Sequence, residues 1–126
     1  MNKIDSQVIV DIIRKRIGAS SALNQYKVAD KYYTETGDTI EPRTVRKIIE
    51  GLRFEGYPIL STTDDPGGYH YPATRGEYFD WKDREMAKAR KQIAKIKPVG
   101  FGVYRYFHKN VIQQIFDFGK RALRVS

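Results

Sequence analysis

The feature that most constrains this 126-residue chain is the order of its hydrophobic periods. Three stretches of helical period are followed by two short β-prone runs that flank a dense turn, all before residue 73. Val8, Ile9, Ile12, Ile13 and Ile17 recur at helical spacing after Asp5, a good N-cap, and the run meets Gly18, a good stop. After the polar connection Gly18-Ala-Ser-Ser-Ala, the residues Leu23, Tyr26, Val28, Ala29, Tyr32 and Tyr33 predict a second helix over residues 23–36, ended by Gly37. Pro42 suits a first helical position, and Val45, Ile48, Ile49 and Leu52 leave Arg43, Thr44, Arg46, Lys47 and Glu50 on the opposite face of a third helix ending near Glu55-Gly56.

Tyr57-Pro-Ile-Leu-Ser-Thr and Tyr69-His-Tyr-Pro are β-prone, and Thr63-Asp-Asp-Pro-Gly-Gly between them is rich in turn residues, so a hairpin is expected. Thr74 with Glu77 three residues on forms a capping-box pattern that opens a long helix over residues 75–96, expected to stop before Pro98. Gly100-Phe-Gly then reads as a hinge. Tyr104, Phe107, Val111, Ile115 and Phe118 fall on one stripe of a further terminal helix over about residues 104–122. The expected fold class is therefore mainly α, three helices and a hairpin followed by a long C-terminal helix and a further terminal one. The domains divide as residues 1–74 and a helical extension, 75–126.

Charge and composition narrow the chemistry. With no cysteine, disulfides, thiolate nucleophiles and cysteine-ligated metal are excluded. His70 and His108 are the only histidines, and neither belongs to a metal-ligand pattern; no cofactor is expected. No triad order, phosphate loop or other catalytic signature occurs, which argues against an enzyme. The adjacent carboxylates Asp64 and Asp65 sit before Pro-Gly, where turn formation explains them. The first 17 residues lack a signal-peptide cleavage site and no run reaches membrane-span length, so a cytoplasmic location is expected, host cytoplasm if the source is viral.

The net charge of +8 favours a polyanionic partner. Lys and Arg minus Asp and Glu give +2, −2, +2 and −2 for residues 1–18, 19–41, 42–57 and 58–74, then +4 for 75–98 and +4 for 99–126. The whole excess lies in the C-terminal half.

The stretch from Tyr26-Lys-Val-Ala-Asp-Lys-Tyr to Pro42-Arg-Thr-Val-Arg-Lys-Ile-Ile-Glu-Gly-Leu-Arg-Phe-Glu-Gly-Tyr-Pro-Ile, with Gly67-Gly68-Tyr69 after it, resembles the winged helix-turn-helix superfamily. It is most similar to small winged-helix proteins of bacteriophages and prophages. That resemblance covers about 50 residues and implies three helices plus a β-hairpin wing, with the third helix entering the DNA major groove. Carried over by position, Arg43, Thr44, Arg46 and Lys47 face DNA. Arginine can bridge guanine O6 and N7, so Arg43 and Arg46 are the expected base readers. The wing departs from the family, because Asp64 and Asp65 at its tip would be repelled by phosphate. Of Tyr69, His70 and Tyr71, the tyrosines are expected in the core and His70 at the DNA backbone.

In the C-terminal half, Phe79, Met86 and Ile93 repeat every seven residues and Ala89 with Ile96 fills part of a second seam, a pattern for dimerisation or for packing back on the domain. Lys88, Arg90, Lys91, Lys95 and Lys97, then Arg105, Lys109, Lys120, Arg121 and Arg124, offer phosphate contacts, Lys88 and Lys91 first among them. The last helix also carries Ile112 and Phe116, more apolar surface than water favours. The expected function is sequence-specific double-stranded DNA binding in transcription regulation, as a homodimer through the C-terminal helices. The alternatives are a phage-type replication-initiation or packaging factor, or a winged-helix protein-interaction module without DNA. Membrane contact is the least favoured reading, since few charges flank the apolar centre of the last helix.

Overall fold

The computed structural model describes residues 3–125, with side chains described as far as Lys109 and at Gln113. It is mainly helical with a small two-stranded antiparallel sheet, and it comprises two units, Met1–Arg84 and Glu85–Ser126. The first unit holds α1 (Ser6–Arg14), α2 (Gln25–Thr36), α3 (Pro42–Phe54), β1 (Leu60–Thr62), β2 (Gly68–His70) and the opening of α4 (Arg75–Val125).

Asp5 caps α1, its carboxylate accepting the Gln7 N–H at 3.0 Å. The helix then ends three residues short of Ile17, where the apolar stripe was expected to carry it. Ile17 is 56% exposed and forms a bridge with Tyr71. Tyr71 donates its N–H to the Arg16 carbonyl at 2.7 Å, and Gly18 donates to the Tyr71 carbonyl at 2.8 Å. Pairing with a distant segment has replaced the last helical turn. Likewise α2 starts at Gln25, not Leu23. Asn24 caps it by accepting from Lys27 N–H at 2.9 Å, while Leu23 exchanges both backbone bonds with Tyr69 at 2.9 Å. The polar connection before it contains a single 3₁₀ turn, Ala19–Ser21. Gly37 ends α2 in the left-handed region, at φ 78°.

Ile9 and Ile13 of α1, Val28 and Tyr32 of α2, Val45 and Ile49 of α3, and Ile59 before β1 are buried in one core. Each such side chain contributes about 1.5–3 kcal/mol by leaving water. The Tyr32 hydroxyl remains satisfied by accepting the Asp5 N–H at 3.0 Å. Tyr26 and Tyr33 of α2 are 62% and 57% exposed.

The hairpin pairs Leu60 with His70, Ser61 with Tyr69 and Thr62 with Gly68. Gly68 has φ +119°, and a Cβ there would lie 2.4 Å from the Leu23 carbonyl carbon and oxygen, so this position admits no side chain. Glu77 secures the start of α4. Its N–H donates to Thr74 Oγ1 at 3.3 Å, as the capping pattern predicts. Its carboxylate accepts from Ala73 N–H at 2.6 Å and from Ala19 N–H at 2.8 Å, and the Thr74 N–H also favours its ionised form.

The second unit consists of residues 85–125 of α4. Two helices separated at Pro98 were expected; α4 is one helix with Pro98 inside it. Proline removes one backbone hydrogen bond, but its φ is itself helical, so the flanking turns can continue. Gly100 and Gly102, read as a hinge, are helical too. Ile93, Ile96, Val99, Phe101, Tyr104, Tyr106 and Phe107 are all exposed. Val111, Ile112, Ile115, Phe116, Phe118, Lys120, Arg121 and Arg124, expected on the apolar stripe or basic surface, have side chains outside the described residues. Among the described residues no helix is long and apolar enough to cross a membrane.

Candidate nucleic-acid interface

The burial of Val45, Ile49 and Leu52 fixes the rotation of α3, and at 100° per residue that turns Arg43, Arg46, Lys47 and Glu50 outward. Pro42 occupies the first turn, so Arg43 and Thr44 sit at the positive end of the helix dipole. Arg43, Arg46, Lys47, Glu50 and Arg53 of α3, together with Tyr69 of β2, line a recess of about 400 Å³. Thr44 is half-buried and does not line it. The salt bridges among the described residues are Arg14–Asp11 at 3.3 Å and Lys88–Glu85 at 3.1 Å. Neither touches Arg43, Arg46 or Lys47, whose charges are therefore available to an external anion.

Arg53 has a different task. Its Nε donates to the Ile59 carbonyl at 2.8 Å, and its guanidinium lies over the rings of Tyr69, 5.7 Å to the centroid, and Trp81, 5.3 Å. It ties the end of α3 to both strands' surroundings and to α4. Arg84 adds a second tie by donating from Nη2 to the Ser61 carbonyl at 2.9 Å. The hairpin is thus held from both sides, and Tyr69 is fixed at the edge of the recess.

His70 does not belong to this surface. It is 2% exposed, opposite the buried Leu60, with Nδ1 2.9 Å from the Tyr71 carbonyl oxygen, a contact that needs the proton on Nδ1. The expected DNA contact from His70 is corrected: strand alternation turns this residue inward. Tyr69 and Tyr71 were expected in the core and are half-buried, packed against its outside. Burial, followed by the neighbouring Tyr57, raises the Tyr71 phenol pKa. Burial also acts to raise Glu77, but the N–H groups of Ala73, Ala19 and Thr74 and the nearby His70 outweigh it, leaving the carboxyl below its ordinary pKa.

Asp64 and Asp65 are exposed in the hairpin loop, where Asp64 N–H donates to Thr62 Oγ1 at 3.1 Å. Lys88 and Lys91 are exposed on α4 in the second unit, Lys88 already engaged by Glu85 at 3.1 Å. The candidates from the sequence thus separate into the α3 set, the buried His70 and two lysines of the other unit. Arg53 and Tyr69 were missed as parts of the recess. Their signal lay in the coincidence of an arginine at the end of α3 with aromatic residues beyond it, which only the tertiary pairing reveals. Among the described residues no group of His, Asp and Glu could hold a metal ion. No family model, curated protein or solved structure matches the chain.

Proposed function

We propose that the first unit is a winged helix-turn-helix that binds double-stranded DNA in a sequence-specific manner, with α3 in the major groove and the hairpin as a short wing. The observation that carries this reading is the face of α3, where Arg43, Arg46 and Lys47 line an open recess in excess over the single carboxylate of Glu50 and take part in neither salt bridge formed among the described residues. Arg43 and Arg46 read base edges and Lys47 and Thr44 hold phosphate. The exposed carboxylates of Asp64 and Asp65 keep the wing tip away from the backbone.

The protein acts by occupying its site, without chemistry of its own, and transcription regulation in the cytoplasm is the role that fits. The exposed apolar side chains of α4 from Ile93 to Phe107 favour a second copy as the partner of the second unit. A dimer would select a near-palindrome with half-sites about 34–36 Å apart. Lys88 and Lys91 then supply non-specific phosphate contact.

Selection from a random duplex library at two salt concentrations tests the proposal. Enrichment of one motif by the wild type, abolished in Arg43→Ala/Arg46→Ala, is the expected result. Each lost bidentate contact should weaken binding by about 5- to 150-fold. Retention of duplex without any motif, unchanged in the double variant, refutes sequence reading by α3.

A further inference from the structure

A second cationic recess on the first unit shares no lining residue with the α3 set. It is about 240 Å³ in volume and is lined by Ile12, Lys15 and Arg16 at the end of α1, Ser21 of the 3₁₀ turn, and Lys31 and Glu35 of α2. Three cations and one carboxylate meet there, a formal charge of +2. None of the four takes part in the salt bridges formed among the described residues.

The local fold explains why these cations converge. Lys15 caps the end of α1, and Arg16 follows with its backbone held from two sides: its N–H donates to Ile13 at 2.8 Å and its carbonyl accepts from Tyr71 at 2.7 Å. The Arg16 side chain therefore leaves from a fixed point and is half-buried, with no hydrogen-bond or ion-pair partner among the described residues. Lys31 and Glu35 are one helical turn apart on the exposed side of α2, whose other side buries Val28, Ala29 and Tyr32. The floor is Ile12, 3% exposed, so a bound anion would be shielded on one side from water.

Three cations against one carboxylate leave an excess of positive charge, and an external anion relieves the repulsion among them. A guanidinium flanked by two ammonium groups and a hydroxyl matches a tetrahedral oxyanion with several acceptor oxygens better than a single planar carboxylate. We propose that this recess is a phosphate-binding site and that the group it takes is a backbone phosphate of DNA, which extends the protein's DNA contact beyond α3 onto α1 and α2. The inference rests on the DNA-binding reading given above. It adds that Lys15, Arg16 and Lys31 contribute affinity and salt dependence without contributing sequence preference.

The test compares three proteins on one selected duplex, or on a mixed-sequence duplex where selection yields no motif: wild type, Lys15→Gln/Arg16→Gln/Lys31→Gln and Arg43→Ala/Arg46→Ala. Dissociation constants are measured from 50 to 200 mM salt, and thermal melting confirms that each variant is folded. The triple variant is expected to bind at least about tenfold more weakly at the low-salt end. Its plot of log K against log salt should be shallower by about 0.9 for each phosphate released. Its motif in library selection should be that of the wild type. A folded triple variant with wild-type affinity and slope overturns the proposal while leaving the α3 reading intact. A wild-type protein that retains no duplex overturns both. Inorganic phosphate separates the two sources of the anion: saturable binding to wild type, lost in the triple variant and accompanied by unchanged duplex binding, assigns the recess to free phosphate and overturns the DNA assignment.

Discussion

Substituting Gly68 by alanine should disrupt the hairpin far more than its single added methyl suggests. The new Cβ would sit 2.4 Å from the Leu23 carbonyl carbon and oxygen and 2.5 Å from Asn24 nitrogen, all backbone atoms that cannot rotate away. Holding a non-glycine residue at φ +119° adds about 1–3 kcal/mol of strain. To make room, the strand must withdraw from Leu23 and give up the paired bonds between Leu23 and Tyr69, each 2.9 Å and each contributing about 0.5–1.5 kcal/mol. The total of about 2–6 kcal/mol is a large part of the stability expected for a unit of this size, about 0.05–0.15 kcal/mol per residue. Gly37→Ala is the control, because φ there is +78° but nothing lies within 4 Å of its Cβ. It should lose only the conformational part, about 1–2 kcal/mol. Urea unfolding followed by the fluorescence of Trp81, the single tryptophan, measures both, since that ring packs against Arg53 in the same unit. Equal destabilisation by the two substitutions would refute the reasoning, because it would mean that the approach of Leu23 to the hairpin costs Gly68→Ala nothing.

Glu77→Gln tests the carboxylate at the start of α4. Because its folded pKa is lowered, its stabilisation is fully present above the ordinary value of 4.5 and is lost as pH falls through the folded value. The stability gap between wild type and Glu77→Gln should therefore be constant near neutrality and narrow in acid; a gap that does not narrow as pH falls below 4.5 contradicts the assignment. Arg53→Ala should destabilise the first unit by about 1–3 kcal/mol through the lost bond to Ile59 and the lost ring contacts. Arg43→Ala should leave thermal stability within about 0.5 kcal/mol of wild type, as an exposed position away from packing does. Asp64→Lys/Asp65→Lys should strengthen DNA binding and steepen its salt dependence by about 0.9 for each new phosphate contact, and an unchanged slope would place the loop away from the duplex.

The three helices and the hairpin were legible because their signals are local. Asp5 caps α1, Gly37 ends α2, Pro42 opens α3, and the apolar spacing of Val45, Ile49 and Leu52 dictates which residues α3 exposes. The errors fall where distant backbone intervenes. Ile17 and Leu23 both look helical by spacing, yet both pair with the segment around Tyr69 to Tyr71, some 50 residues away. His70 was misread because three consecutive half-apolar residues give no parity, and the register with Leu60 decides it. Pro98 was read as a boundary from its average propensity, about 3 kcal/mol unfavourable inside a helix, and the helix passes through it. Of the candidate site, the outward placement of Arg43, Arg46 and Lys47 followed from the amphipathicity of α3 and their expected DNA contact from the resemblance, whereas the structural use of Arg53 depends on Tyr69 and Trp81, which no sequence window links to it.

The way the start of α4 is fastened has a practical consequence for anyone dividing this protein into pieces. Glu77, Trp81 and Arg84 lie beyond the hairpin in the chain, yet they hold the 3₁₀ turn, the Arg53 guanidinium and β1 respectively. A fragment cut at the end of the hairpin would contain α3 and the wing of the proposed reading and would still lack these three fasteners. Extending the cut to residue 84 restores them. A fragment that keeps its braces therefore runs to residue 84, 14 residues past His70, where β2 ends.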